Sequence, residues 1–522
     1  MDARKGTVGS VRDWVASKSH QNLVVGGIIG AGVLFRLVAY LHNQSFWLDE
    51  AMLAYAILQR SFMELLEPLL EFNQAAPAGF LYLVRSTYLL FGPKEPALRV
   101  VPLLAGLTSL PLFYLLARRY VDRLSAVLAL ALFAVSERLV YHSIEMKQYS
   151  TDVLVVLLTL LAIEPILRGA EKRRHWLILG AAGAAAVWFS HPVIFVLAPA
   201  GLVLFGLIFF NGNRKRLMNI SVVGVVWLSS FGINYLLITR HVAADPHKLK
   251  AFADSFMPIT SAPEIAEWFR DQITNLTEKV LRFPTTLGCA FIGLICLMIG
   301  VGRMFARNKA RAMILIGPLV FCLVAATLHT YPFKPRLVVF LSPMLLICIG
   351  LGAQWLATLD RRRWLRIVGT LAVVILLIMP TARAVHDALT LTTLYGREEM
   401  RPVFKYVLER EQPEDTVYFY RGADAVFLYY RKAYGYEPQH WVTGGRDMPE
   451  SQARYRARIE QLFKEEGPRI WFVFRCDGAF ERERMLSTLD RVATRVDRFE
   501  VNGAAAFLYR ATPAGGGDGA GR

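Results

Sequence analysis

Charge is scarce in this chain. Asp, Glu, Lys and Arg make up 19% of its 522 residues and hydrophobic types 54%, whereas an ordinary soluble protein carries roughly 25% charged residues. A chain this apolar has too little polar surface for water, and the bilayer is its natural solvent. Cysteine is scarce as well: Cys289, Cys296, Cys322, Cys348 and Cys476 form no CxxC pair, and four of them sit inside apolar runs. That leaves no basis for a disulfide framework or a zinc site, and the thiols read as small buried hydrophobes. A Walker loop, a dinucleotide glycine fingerprint and an HExxH motif are all missing, so nucleotide-driven pumping, redox work and zinc proteolysis lack support.

What the chain does have is long uncharged stretches such as Leu23 to Leu41 and Val338 to Ala357, each the length a helix needs to cross a bilayer. Eleven spans are expected, at about 20–42, 98–118, 124–141, 150–167, 175–190, 192–210, 217–239, 283–302, 311–329, 336–357 and 363–383. The net charge of +17 is gathered in short loops between them, a topology signal that gives no support to nucleic-acid binding. Arg4, Lys5, Arg12 and Lys18 precede the first span without a small-residue cleavage site, which predicts an uncleaved first helix.

The stretch 77–91 decides the topology, because one extra crossing there would invert every later loop. If it does not cross, the N-terminal tail and the loops at 118–123, 168–174, 214–216, 303–311 and 360–366, all basic, share the cytoplasmic side. The stretch is therefore expected to lie in the interface or to re-enter. Residues 43–97, 240–282 and everything after about 384 are then extracytoplasmic. The expected fold is mainly α: a polytopic helical membrane domain over 1–383 with interfacial helices, then a small extracytoplasmic α/β domain over 384–511. In that domain strands at 416–420, 470–474 and 504–509 alternate with helical patterns. A Gly/Ala-rich tail, 512–522, is expected to be disordered.

Polar residues gather at the outer ends of the spans. Asp49 and Glu50, in SFWLDEAMLAYAIL, open an amphipathic helical pattern; they are either an acidic first turn at a helix start or a general base near the membrane surface. In SERLVYHSIEMKQYSTDVLVVLL, Glu145, Tyr149 and Asp152 share a face if the fourth span starts early, with Lys147 beside them. Such crowding exceeds what a plain connector needs, although interface anchoring is the other explanation. His191 precedes Pro192 at an outer turn, where a structural role is the commoner one. Lys334 and Arg336 open an outer helix end, where they either snorkel to headgroups or pair with the phosphate of a lipid-borne substrate. Arg36, well inside the first span, is a weaker hint of the same kind.

The order of these pieces resembles the C-type membrane glycosyltransferases, which include protein O-mannosyltransferases, the lipid A aminoarabinose transferases and broad bacterial relatives. The resemblance covers about residues 20–383 and rests on LDEAMLAYAIL, on QAAPAGFLYLVRSTYLLFGPKEPALRVVPLLAGL with its Glu95…Arg99 junction, on EMKQYSTDVLVVLL and on YPFKPRLVVFLSP. It implies an enzyme of the bacterial cytoplasmic membrane moving a hexose or pentose from a polyprenyl-phosphate donor to a protein, lipid or glycan acceptor. Asp49 takes the position of the family's base and Asp152 its second acidic position, with Lys147 or Arg336 toward the donor phosphate. Metal use varies among the relatives, so metal-free base work and a divalent cation shared by Asp49 and Asp152 both stand. The chain departs from many relatives at Gln74-Ala75-Ala76-Pro77, where they carry a His or a charged residue before proline. A transporter or a non-catalytic binder of lipid-linked saccharides is the alternative function. The charges lie at span ends and not at midplane, which favours the enzyme.

Overall fold

The computed structural model describes residues 18–67, 74–240, 252–258, 261–359, 363–390, 398–420, 422–444, 452–475 and 479–511. The expected disordered tail at 512–522, Cys476 and the N-terminal basic residues before Lys18 lie outside them. All eleven expected spans are helices: α1 Lys18–Leu41, α4 Glu95–Tyr120, α5 Arg123–Val135, α7 Tyr149–Leu167, α8 Arg173–Phe189, α9 Ile194–Phe210, α10 Arg214–Asn234, α12 Cys289–Arg307, α13 Lys309–Thr327, α14 Ser342–Ala357 and α15 Arg363–Thr390. Among the described residues, eight helices are long and apolar enough to cross a membrane. The other three, α5, α8 and α9, are shorter, α5 is prolonged past a break at Ser136 by α6, Glu137–His142, and α11, Ala262–Thr274, lies between α10 and α12.

Helix α14 is the hub, buried along most of its length against α5, α12 and α15. Backbones touch there. A Cβ at Gly352 would stand 1.9 Å from the Cys296 carbonyl oxygen, and one at Gly300 1.8 Å from that of Cys348. Only glycine permits so close a helix contact, and the two cysteines flanking it are free and buried. Outward-facing leucines such as Leu34, Leu202, Leu228 and Leu371 are exposed, as a surface solvated by lipid tails requires.

The decisive stretch forms α3, Ala78–Phe91. At 1.5 Å per residue its 14 residues reach about 21 Å, short of the roughly 30 Å hydrocarbon core. Both of its ends also meet the same side: the Ala75 carbonyl accepts from Gln148 before α7, and the Pro93 carbonyl accepts from Tyr429 of the C-terminal region. It does not cross.

After α15, which runs on to Thr390, come α16 Met400–Arg410, β1 Asp415–Phe419, α17 Ala423–Tyr434, β2 Trp441–Thr443, α18 Gln452–Glu466, β3 Arg469–Arg475, α19 Ala479–Val492, β4 Ala493–Val501 and β5 Ala504–Ala511. The sheet order is β2-β1-β3-β5-β4, parallel over β2, β1 and β3 and antiparallel beyond. Alternation along β3 divides two cores. Ile470, Phe472 and Phe474 face Ile459, Leu462 and Met485 of α18 and α19. Trp471 and Val473 face a core that also contains Phe46, Leu53 and Ile57 from the first loop. Strands β2 and β4 escape the sequence pattern because β2 spans only three residues and β4 is a polar edge with charges at Arg495, Asp497, Arg498 and Glu500.

Candidate functional site

The first loop's helix, α2 Leu48–Gln59, begins after Trp47, whose extended backbone provides no side-chain cap. The C-terminal region supplies the cap instead. Glu398 accepts the Leu48 amide at 3.0 Å, and Glu399 accepts from the Ser45 amide and hydroxyl at 3.3 and 2.7 Å. Two carboxylates at a helix start satisfy free amides and match the dipole. Asp49 is thereby released from capping and accepts from Arg336 Nη1 at 2.8 Å.

Its neighbour Glu50 behaves differently. Arg99 of α4 clamps it with Nε at 3.1 Å and Nη2 at 2.9 Å, and the Met146 amide donates to it at 2.7 Å. Both partners of the ion pair are almost fully buried, and Arg99 also binds the Gln44 carbonyl and lies over the Phe46 ring. Glu50, expected as a catalytic acid, here ties the first loop to Arg99 and to the 145–148 turn.

That turn carries the second constellation. Glu145 lies before α7 and not on its face, because the helix begins only at Tyr149. Trp47 Nε1 and the Tyr141 hydroxyl donate to one Glu145 oxygen, and His142 Nδ1 meets the other at 2.6 Å. Expected to bind substrate, Glu145 is buried and holds the turn's shape. Lys147, also buried, donates to Gln74 at 2.7 Å. Burial pushes its pKa below the usual lysine range, with Asp49 and Glu145 working the other way.

Arg336 and Lys334 sit on the loop before α14, which is pinned where the Phe333 amide donates to the Ser255 carbonyl. Lys334 lies 4.7 Å from the Phe252 ring; burial and the adjacent Arg336 lower its pKa against the pull of Asp254 and Asp49. Burial acts against the Arg336 charge too, but Tyr149 and Asp49 outweigh it and the pKa rises. Asp49, Lys147, Lys334, Arg336 and Tyr149 thus form one electrostatic cluster. Asp152 lies one helical turn further along α7, buried, with Ser190 beside it, and its Oδ1 has no hydrogen-bond partner among the described residues. His191, half-buried, follows Ser190 at the α8–α9 turn. Arg36 is spent on backbone, donating to the Gly32 and Ala134 carbonyls.

Among the described residues no three His, Cys, Asp or Glu side chains converge as a metal site. Gln74, Arg99, Trp47 and Glu398 complete the site without having been singled out for it. Gln74 stood out only as a departure before Pro77, and Glu398 gave no local signal because its partner lies 350 positions away.

The helical bundle followed by an α/β unit is a fold that the chain shares with solved structures of ArnT and of an archaeal oligosaccharyltransferase. Residues 75–237 match the family described as dolichyl-phosphate-mannose-protein mannosyltransferase. Apo ArnT from Cupriavidus metallidurans superposes with a TM-score of 0.56 at 13% identity, over 96% of this chain and 98% of that one. The same protein bound to undecaprenyl phosphate gives 0.53 at 15%, over 94% and 98%. The Archaeoglobus fulgidus oligosaccharyltransferase tethered to an acceptor peptide gives 0.53 at 12%, over 96% and 75%. No curated protein shows significant similarity to the chain.

Proposed function

We propose that the chain is a glycosyltransferase that moves a sugar from a polyprenyl-phosphate donor to an acceptor at the membrane face bearing the α/β unit. The observation that carries this is the exchangeable pair of Asp49 and Arg336, both partly exposed, with Lys147 and Lys334 in the same field. The family match over 75–237 and the shared fold with ArnT, a protein solved with undecaprenyl phosphate, support the same reading.

In this mechanism the donor enters from the bilayer and its phosphate takes the Arg336 fork, whose geometry suits phosphate oxygens as well as carboxylate. Asp49 is then uncovered as a base. It takes the proton of the acceptor hydroxyl or amine while that atom attacks the anomeric carbon. The bond from the anomeric carbon to the phosphate oxygen breaks, and polyprenyl phosphate leaves with the electron pair, its charge met by Lys147, Lys334 and Arg336. Three cations supply the charge stabilisation that a divalent ion would otherwise bring, so the reaction is proposed to be metal-free. Activity is expected to survive chelation by EDTA; its loss, with recovery on adding one divalent ion, would overturn that part.

The loops that follow α4, α7, α9 and α12 are basic, so by charge bias they are assigned to the cytoplasmic side. The site therefore faces outward, across the cytoplasmic membrane of a bacterium. The test is reconstitution of the purified protein with polyprenyl-phosphate sugars and a panel of protein, lipid and glycan acceptors. Release of polyprenyl phosphate coupled to acceptor modification supports the assignment. Sugar-lipid movement across the bilayer without release identifies a transporter, and binding without either a non-catalytic receptor.

A further inference from the structure

On the face away from this site, helix ends enclose a second polar cavity of about 370 Å³. Arg118, Arg119, Tyr120 and Asp122 line it from the α4–α5 junction, and Arg307 and Arg311 from the α12–α13 junction. Its charges do not balance. Arg307 stands 3.6 Å from Asp122, while Arg119 and Arg311 stand 3.7 and 3.8 Å from the buried Glu164, which Arg168 already holds. Five guanidiniums thus share two carboxylates, which leaves three positive charges unmatched within the group. At 3.6 to 3.8 Å these contacts are too long for hydrogen bonds, so the arginines keep donors to spare.

A second observation points to a ligand. Tyr120 is 4% exposed, and its hydroxyl, on the cavity wall, has no hydrogen-bond partner among the described residues. A buried hydroxyl left unpaired is costly; an acceptor oxygen in the cavity would satisfy it. Arg311 sits 5.9 Å from the same ring, so phenol and guanidinium donors are held together. Exposed apolar side chains also border the cavity. Leu115 and Leu124, on the two helices that meet at its rim, and Phe305, two residues before Arg307, are all exposed apolar side chains, which fits a ligand whose tail stays in the bilayer.

We propose that this cavity binds the phosphate of an anionic lipid headgroup from the leaflet on that face, independently of the glycosyl-transfer site. A free phosphate offers the same oxygens, so the experiment must separate the two sources. The full-length protein is reconstituted in phosphatidylcholine nanodiscs doped with phosphatidylglycerol, and retained lipid is read by native mass spectrometry. Wild type should retain phosphatidylglycerol selectively. Each surface cation facing such a headgroup contributes about a factor of five, so Arg118→Gln with Arg307→Gln should weaken retention about twenty-five-fold. Tyr120→Phe should weaken it several-fold, and Arg174→Gln, in the first turn of α8 and outside the cavity lining, should leave it unchanged. Arg118→Gln alone guards against misfolding, because that side chain is exposed and makes no ion pair among the described residues; about a fivefold loss is expected from it. Undiminished retention in the double variant overturns the proposal. An equal loss in Arg174→Gln does so as well, because it would show diffuse charge attraction. Complete displacement by inorganic phosphate alone overturns the lipid assignment in favour of a soluble anion.

Discussion

Arg336 Nη1 lies 2.8 Å from Asp49 Oδ2 across 287 positions of sequence, and their side chains remain 30% and 24% exposed. One residue along, Glu50 meets Arg99 in a pair that is 1% and 3% exposed. Solvated pairs are weak and exchange readily, whereas breaking a buried one strands a charge. The difference in exposure separates the proposed base, Asp49, from the buried partner of Arg99, Glu50.

Asp49→Asn removes the proposed base and keeps the size of the side chain. Transfer should fall by roughly 10²- to 10⁴-fold, with membrane insertion and thermal unfolding in detergent close to wild type. Wild-type turnover by this variant would end the assignment of Asp49.

Glu50→Gln should act through stability. Arg99 loses its charge partner in a buried site, at a cost of about 3–5 kcal/mol, and the Met146 amide keeps only a neutral acceptor where the carboxylate stood. A marked drop in melting temperature is expected. A variant that melts like wild type yet is inactive would return Glu50 to the chemistry.

Arg336→Lys keeps the charge but not the fork. Losing charged hydrogen bonds of about 1.5–3 kcal/mol should raise the donor KM by roughly 10- to 100-fold and leave the acceptor KM nearly unaltered. An acceptor-side effect instead would place Arg336 away from the phosphate.

Lys147 sets a pH dependence. Its pKa is lowered by burial, so the cation is present below that lowered value and disappears as pH rises through it. Donor binding should therefore weaken on the alkaline side, earlier than an exposed lysine would allow. Lys147→Arg, charged throughout, should move that alkaline limb upward in a profile of kcat/KM against pH; an unmoved limb would assign the titration to another group.

Sequence alone determined the membrane solvent, the helices at the eleven expected spans, eight of them long and apolar enough to cross among the described residues, and the short α3, because each depends on local hydropathy, length and the charge of nearby loops. It also brought Asp49, Lys147 and Arg336 forward, since ionisable side chains at span ends are conspicuous against lipid. Which acid is free was a different matter. Asp49 and Glu50 are adjacent and chemically alike, and they are told apart only by groups 49 to 287 positions away: Arg99 and the Met146 amide for one, Arg336 for the other. The cap from Glu398 and the inward turn of Glu145 likewise arise from long-range packing, which leaves no periodicity in the sequence. Tertiary structure decided which carboxylate is buried in an ion pair and which stays partly exposed, because long-range partners, and not residue type, fix burial.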